Sequence, residues 1–191
     1  MPAARGRVVL PPRPWLWHVL QGRSDFALNE AGRTQALEAA ERLRDVRFDR
    51  VYSSPLLRAV QTAEQIAPGA EILLDERLIE MDYGPYEGAD LHNLPPEILT
   101  FFSDFVHNPA PEGMEPLSAV AERTGAFLEE IRNLSGNILV STHAIAMKGA
   151  LEYLTPGADG RFWGTYIRNC ALYEFEAADS GYTVPREVDL C

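Results

Sequence analysis

The chain has 191 residues, a formal net charge of −11 and 46% hydrophobic residues. That length and apolar content suffice for one well-buried core, so we expect a single domain over residues 1–191. The acidic charge argues against nucleic acid or an anionic membrane as a partner, because both require clustered Lys and Arg. The two cysteines, Cys170 and Cys191, provide neither a disulfide framework nor the spacing of a metal site.

The sequence has no apolar stretch of the ~20 residues that a membrane span needs. Its first residues also lack the apolar core of a signal peptide. We therefore predict a cytoplasmic location.

Strand and helix patterns alternate along the chain. Short apolar runs predict strands at 7–10, 48–54, 71–74, 138–141 and 171–176. Helical periodicity predicts helices at 30–46, 54–67, 97–106 and 116–134, and one after His143. Strands that alternate with helices predict the α/β class, with a mostly parallel sheet flanked by helices on both faces.

Local signals define how these helices begin and which face they bury. The first helix is expected to start at the N-cap Asn29. The second is expected to start at the pair Ser54-Pro55, which is typical of a capped helix with proline in its first turn. The residues expected on the buried stripe of the first helix are Leu37, Ala40 and Leu43. Those expected on the buried face of the helix at 116–134 are Leu117, Val120, Ala121, Thr124, Leu128 and Ile131.

The stretch 138–154 contains a strand-to-helix corner with one histidine. Four apolar residues predict a buried strand, and helical periodicity resumes after His143. In open parallel sheets, ligands bind beyond the carboxyl ends of the strands, where helix N-termini offer N–H groups to anions. His143 is therefore predicted to lie where a phosphate group would bind. A histidine that only caps the helix or packs in a gap is the alternative.

Two further side chains are predicted to lie at the same edge of the sheet. Arg58 is one turn into the helix after the second strand, and helical side chains lean back toward the N-terminus. A guanidinium beside a helix N-terminus matches a phosphate group in charge and geometry. Glu80 is in the loop after the third strand. Taken singly, Arg58 could be a solvated surface residue and Glu80 an ordinary loop carboxylate.

Four stretches of the chain resemble the histidine phosphatase superfamily, which has the phosphoglycerate mutase-like fold. They are QGRSDFALNEAGRTQA (21–36), FDRVYSSPLLRAVQTAEQIA (48–67), LDERLIEMDYGPYEG (74–88) and ILVSTHAIAMKGAL (138–151). They occur in the family's order. The most specific feature is the Ser-Ser-Pro-Leu step followed by Arg and then Gln-Thr-Ala.

The resemblance implies that a histidine accepts the phosphoryl group of a small phosphorylated metabolite and that water hydrolyses the phosphohistidine. Arg58 then takes the place of the family's helix arginine, Glu80 that of the acid, and His143 that of the second histidine. Ala144, where the family usually has glycine, and Gln21 are further candidates for phosphate binding. Arginine and histidine supply the charge for phosphoryl transfer, so we expect no metal or other cofactor. A homodimer is compatible with this assignment.

The chain differs from the family at the position of the nucleophile. The family has an Arg-His-Gly-Glu-Thr-like motif directly after the first strand, whereas residues 11–14 here are Pro-Pro-Arg-Pro. Arg13 and His18 are the nearest substitutes. His18 aligns beyond the expected histidine and lacks the adjacent arginine and glycine, which makes it a poor nucleophile.

A frameshift is one hypothesis for this difference. If residues 11–13 were encoded CCG-CCA-CGG, the same bases read one position later, into the codon of Pro14, would give Arg-His-Gly.

Three functions are compatible with the sequence. The first is a phosphatase for a small phosphomonoester, with its activity in doubt. The second is a non-catalytic phospholigand-binding or scaffold protein of the same fold. The third, a phosphoglycerate-type mutase, is disfavoured because the chain is short and lacks obvious extra segments to enclose a bisphosphate. Residues 88–116 are predicted to form a cap that sets specificity, with Phe101, Phe102 and Phe105 as packing residues.

Overall fold

The fold is known from a computed structural model that describes residues 5–9, 19–178 and 181–188. The strands are β1 (Arg5–Val9), β2 (Arg50–Ser53), β3 (Ile72–Leu74), β4 (Asn137–Ser141), β5 (Leu172–Ala178), β6 (Gly181–Tyr182) and β7 (Arg186–Val188). The helices are α1 (Glu30–Leu43), α2 (Leu57–Ile66), α3 (Pro96–Ser103), α4 (Leu117–Ile131) and α5 (Ala144–Leu154). Two short 3₁₀ turns cover Glu76–Leu78 and Gly84–Tyr86.

These strands form one mixed sheet in the order β3-β2-β4-β1-β5-β6, with β7 also paired to β5. The four strands β3, β2, β4 and β1 run parallel to one another. β5 runs antiparallel to β1 and to both short strands that follow it. The predicted mostly parallel α/β sheet is therefore confirmed, with an antiparallel edge on one side.

Helices cover both faces of the sheet, and the strand sequence explains why. The central strand β4 buries three consecutive apolar residues, Ile138, Leu139 and Val140, which is typical of a strand covered on both sides. Ile138 and Val140 pack against α4 and α5, and Leu139 packs against α1 and α2. The predicted arrangement of helices on both faces is confirmed.

The buried stripe of α1 differs from the predicted one. Asn29 is the N-cap as predicted, and its Oδ1 accepts a hydrogen bond of 2.6 Å from the Gly32 N–H. Leu37, however, is 54% exposed, and Ala36 and Ala39 are buried instead. Leu37 and the buried Leu43 are six positions apart in the helix, which places Leu37 about 120° around the helix axis from Leu43.

The start of α2 also differs from the prediction. The helix begins at Leu57, and its N-cap residue Leu56 makes no side-chain capping bond. Asp25, distant in sequence, accepts a 2.6 Å hydrogen bond from the Leu57 N–H and so takes the capping role predicted for Ser54. The Ser54 hydroxyl is thereby left for other contacts.

Residues 88–116 pack through their aromatic side chains. The rings of Phe101 and Phe105 lie 4.9 Å apart in an edge-to-face arrangement, and Phe102 contacts both of them. Phe101 is buried in a cluster that also contains Met81 and Ile145. The prediction that these aromatic residues serve packing is confirmed, whereas the cap role of the segment stays a prediction.

Helix α4 has a wider buried face than predicted. In α4, Val120, Thr124, Leu128 and Ile131 are buried as expected, together with Gly125 and Phe127, while Leu117 and Ala121 are only partly buried.

Among the described residues, no helix is both long and apolar enough to cross a membrane.

Candidate phosphate-binding site

Three parallel strands end at one edge of the sheet, and hydrogen bonds hold their ends in line. The Thr142 N–H donates to the carbonyl of Val9, the last residue of β1, at 3.1 Å. The Ser54 N–H donates to the carbonyl of Ser141, the last residue of β4, at 2.9 Å. The described end of β1 therefore lies beside the corner that carries His143.

His143 occupies the N-cap position of α5 and is only 2% exposed. Its Nε2 lies 2.7 Å from the hydroxyl oxygen of Ser54, which is fully buried. The same oxygen accepts a hydrogen bond of 3.3 Å from the Leu56 N–H. The ring of His143 is thus held against the segment that leads from β2 into α2.

Arg58 lies in the first turn of α2 and is 4% exposed. Its Nη1 donates to the Ser24 carbonyl at 2.7 Å, and its Nη2 donates to the Gly22 carbonyl at 2.8 Å. Arg58 therefore holds the loop 21–25 against the N-terminus of α2. Gln21, the other predicted phosphate-binding residue nearby, lies half-buried at the start of this loop.

The loop 21–25 is also organised by Glu87. One of its carboxylate oxygens accepts hydrogen bonds from the Gly22 N–H at 3.0 Å, the Ser24 N–H at 3.1 Å and the Ser24 hydroxyl at 2.6 Å. The glycine at position 22 permits this close packing. A Cβ atom there would collide with the carbonyl oxygen of Met81 and lie 2.7 Å from the Glu87 carboxylate.

Glu80 meets the N-terminus of α5. Its Oε1 accepts hydrogen bonds from the N–H groups of Met81 at 2.9 Å, Ile145 at 3.1 Å and Ala146 at 3.2 Å. The side chain is 4% exposed. Two backbone donors at this helix N-terminus are thus engaged by Glu80, and Ala144, the first residue of α5, lies next to His143.

The structure thus brings three predicted residues to one edge of the sheet. Glu80 accepts from the first turn of α5, whose N-cap residue is His143, and His143 contacts Ser54, four residues before Arg58. Their roles in phosphate binding stay predictions. Arg13 and His18 lie outside the described residues.

Ser54, Asp25 and Glu87 are site residues that the sequence analysis did not identify. Ser54 was assigned only as a helix cap, and no local pattern indicates that it approaches His143, which is 89 positions away. Glu87 lies in the Tyr-Glu-Gly step of a stretch that carries the resemblance, yet its partners are 63 and 65 positions away. Contacts at such sequence separation are not encoded in helix or strand periodicity.

The carboxyl edge of a mostly parallel α/β sheet thus carries a histidine, an arginine and a glutamate. The sequence profile of the histidine phosphatase superfamily (branch 1) matches residues 15–189. The chain belongs to this superfamily. The match begins after residues 11–14, where the sequence lacks the expected Arg-His-Gly motif.

Individual relatives agree with this assignment. The chain is 33% identical over 151 residues to phosphoserine phosphatase 1 of Hydrogenobacter thermophilus, covering 75% of this chain and 71% of the relative. It is 32% identical over 173 residues to a protein of Escherichia coli named probable phosphoglycerate mutase GpmB, covering 84% of this chain and 78% of the relative. The fold resembles a phosphoserine phosphatase variant of Entamoeba histolytica, solved in complex with phosphoserine, with a TM-score of 0.85, 22% identity and 98% coverage of both chains.

Proposed function

We propose that this chain binds the phosphate group of a small phosphomonoester at the carboxyl edge of the sheet, between Arg58, His143 and the start of α5. The observation that supports the proposal best is the convergence of the three buried polar side chains Arg58, Glu80 and His143 on adjoining helix N-termini. Cationic and N–H donors that converge from several strand ends are what a phosphoryl group requires, because its charge is spread over three oxygens. Helix N-termini add a favourable dipole.

Each residue has a defined part in the proposed reaction. A phosphorylated histidine forms when the imidazole nitrogen attacks phosphorus and the ester P–O bond breaks. The leaving alcohol takes a proton from Glu80, and Arg58 and His143 stabilise the charge on the phosphoryl oxygens. In the second step, the Glu80 carboxylate takes a proton from water, the water oxygen attacks phosphorus, and the P–N bond breaks to release inorganic phosphate and the histidine. To act as the acid in the first step, the Glu80 carboxyl group has to carry a proton when the substrate binds.

The relatives indicate which phosphomonoesters to test first. Two of them are named for phosphoserine and for phosphoglycerate, and both compounds are phosphate esters of a small hydroxy acid. We therefore propose phosphoserine and 3-phosphoglycerate as the first candidate substrates.

The covalent step depends on a nucleophile that residues 11–14 do not supply. Among the described residues, His92 and His107 are exposed positions of the segment 88–116, and His143 is needed beside the phosphoryl group. We propose that the chain as written turns over weakly or not at all and that its phosphate-binding site is retained. The lack of a histidine among residues 11–14 is the observation that favours the second candidate, a phospholigand-binding protein.

One pair of measurements separates these two functions. Crystals are soaked with tungstate or vanadate, and turnover of p-nitrophenyl phosphate, phosphoserine and 3-phosphoglycerate is assayed on the same preparation. Anion density against Arg58 and His143 supports the binding site, and density elsewhere with this edge empty at saturating anion contradicts it. Turnover supports an enzyme, whereas anion binding without turnover supports a binding protein. Arg58→Ala is expected to abolish anion binding, and Arg44→Ala, at an exposed position after α1, serves as the matched control.

A further inference from the structure

Two charged side chains contact the backbone on both sides of Glu80. Arg123, in α4, donates from Nη1 to the carbonyl of Ile79 at 2.6 Å and to the carbonyl of Arg77 at 2.7 Å. Glu115, just before α4, accepts a hydrogen bond of 3.0 Å from the Asp82 N–H. The residue before Glu80 is therefore tied to a side chain of α4, and the second residue after Glu80 to a side chain just before this helix.

The two side chains also bind each other. Arg123 Nε donates to Glu115 Oε1 at 2.7 Å, and its Nη2 donates to Glu115 Oε2 at 3.2 Å. Their side chains are only 16% and 12% exposed. A two-pronged guanidinium–carboxylate pair has a fixed relative orientation, unlike a single contact between flexible side chains. We name this pair, Glu115 and Arg123, the clamp.

The segment that the clamp holds has little regular structure of its own. Between the 3₁₀ turn ending at Leu78 and the one starting at Gly84, the chain follows neither a helix nor a strand. The α5 N–H groups that Glu80 reaches belong to a helix whose first turns are fully buried. The carboxylate can meet these groups only if the backbone at Glu80 keeps its distance from α5. The clamp supplies two of the contacts that fix this backbone.

A weaker contact extends the clamp toward the loop that holds Arg58. Arg23 lies 3.4 Å from the Glu115 carboxylate and 3.2 Å from the Asp82 carboxylate. Its side chain is 42% exposed, so this ion pair adds little to stability. Its position nevertheless links the Glu80 segment to the loop 21–25, whose carbonyls bind the Arg58 guanidinium.

We propose that Glu115 and Arg123 are positioning residues, which place the carboxyl group of Glu80 at the N-terminus of α5 and so determine where it meets the leaving oxygen of the substrate. The catalytic part of this proposal rests on the proposed role of Glu80 as the acid. The positional part does not, because it concerns only the hydrogen bonds between Glu80 and α5. The alternative is that the clamp stabilises α4 and the fold as a whole without affecting Glu80 in particular.

The test follows the backbone amides of Ile145 and Ala146 by NMR in the full chain. Arg123→Gln and Glu115→Gln are expected to move both amide signals toward their positions in Glu80→Ala. Amide hydrogen exchange there should become about 10-fold faster, the factor that corresponds to the loss of one charge-assisted hydrogen bond. Arg132→Gln is the matched control, because Arg132 follows the same helix and its ion pair with Glu129 lies at the other end of α4. This control should leave both amides unchanged.

Combining variants separates positioning from general stability. If the clamp acts through Glu80, then adding Arg123→Gln to Glu80→Ala should change the two amides no further. A further change of equal size in that background would overturn the proposal, as would unchanged amides in folded Arg123→Gln. Arg123→Lys keeps the charge but cannot form the two-pronged pair, so it should give a smaller change and covers the case in which Arg123→Gln does not fold.

Turnover gives a second readout when the chain has activity. If the Glu80 carboxyl group is displaced, hydrolysis of phosphoserine, which has a poor leaving group, should slow by up to ~10²-fold. Hydrolysis of p-nitrophenyl phosphate should slow far less, because its leaving group needs little help from an acid. Equal losses for both substrates would contradict the catalytic part. The amide readout needs no turnover, so it decides whether the clamp positions Glu80 even in a chain that hydrolyses nothing, a result that would favour the phospholigand-binding function.

Discussion

His143 Nε2 lies 2.7 Å from the hydroxyl oxygen of Ser54, and this buried contact joins the end of β4 to the start of α2. Because the Ser54 oxygen also accepts from the Leu56 N–H, the hydroxyl is held in place and restricts the orientation of the imidazole ring. The two residues that the sequence suggests as a helix cap and as a phosphate ligand therefore act together. This geometry makes the first prediction specific.

We predict that Ser54→Ala weakens binding of inorganic phosphate by about 5-fold, the equivalent of one hydrogen bond of ~1 kcal/mol. Without the hydroxyl, the ring of His143 loses the contact that orients it toward the anion. Ser54→Thr retains a hydroxyl and should preserve most of the affinity. Isothermal titration calorimetry measures the effect, with Ser135→Ala at an exposed position as control. Equal affinities of Ser54→Ala and the unmodified chain would show that the contact does not serve the anion site.

Glu80→Gln tests the acid. The glutamine retains a carbonyl oxygen that can accept from the N–H groups of Ile145 and Ala146, but it cannot donate a proton to the leaving alcohol. In a chain with turnover, the rate should fall by ~10²–10⁴-fold while phosphate affinity is largely unchanged. Glu76→Gln, at an exposed position of the same segment, is the control. An unchanged rate for phosphoserine would remove Glu80 from the mechanism.

Gly22→Ala tests the close packing between two site loops. The added methyl group would collide with the Met81 carbonyl oxygen and crowd the Glu87 carboxylate and the Tyr83 ring at 2.7 Å each. We expect a loss of ~1–3 kcal/mol in the free energy of unfolding, typical of overpacking. Urea denaturation measures it. Gly164→Ala, where an added methyl group meets no atom within 4 Å, should cost far less. A similar cost at both positions would mean that the loops adjust freely.

The sequence predicts the sheet and the strand-to-helix corner at His143 well, because both follow from short-range patterns. The apolar run of β4 and the helical periodicity of α5 each lie within one continuous stretch, so the corner at His143 could be placed without the structure. The start of α2 could not, since its cap comes from Asp25, in a different loop. The stripe of α1 was misplaced because Leu37 is apolar yet exposed, and alanines form the real contact surface.

The contacts of the site residues are less predictable than their positions. The resemblance indicates that Arg58, Glu80 and His143 belong together, but it does not indicate that Glu80 engages the α5 N–H groups. Nor does it indicate that Arg123 holds the backbone beside Glu80, because Arg123 is 44 positions from its partner Ile79. Such contacts depend on how α4 packs against the loops, and that packing is a property of the folded chain.

Cys170 provides a test of the core on the opposite side of the sheet from α5. Burial, with a smaller contribution from the nearby charge of Glu38, raises the pKa of the Cys170 thiol to about 12. At pH 8 the thiolate fraction is then on the order of 10⁻⁴, so the folded chain should react very slowly with a disulfide reagent such as DTNB. Cys191→Ser isolates this thiol. One equivalent should react quickly in guanidinium chloride and almost none without it; fast labelling of the folded variant would contradict the packing around Cys170.

The last prediction concerns the missing nucleophile. We expect little or no phosphatase activity from the chain as written, and we expect activity to appear when residues 11–14 are replaced by Arg-His-Gly followed by Glu-Thr. The physical reason is the geometry at the end of β1, where the Val9 carbonyl accepts from the Thr142 N–H, one residue before His143. We therefore expect a histidine introduced shortly after β1 to lie near the edge of the sheet that carries Arg58, Glu80 and His143.

The amount of phosphatase activity recovered shows whether the missing nucleophile alone explains the lack of turnover. Residues that act as one unit in catalysis contribute non-additively, so restoring the nucleophile should recover far more activity than one residue's average share. Turnover of p-nitrophenyl phosphate and trapping of an acid-labile phosphoenzyme measure it, with replacement by Arg-Ala-Gly and Glu-Thr as the matched control. Robust turnover by the unmodified chain that His18→Ala abolishes would show instead that His18 is the nucleophile. A repaired chain that folds, binds phosphate and remains inactive would mean that other parts of the site have also lost catalytic geometry, and it would favour the phospholigand-binding function.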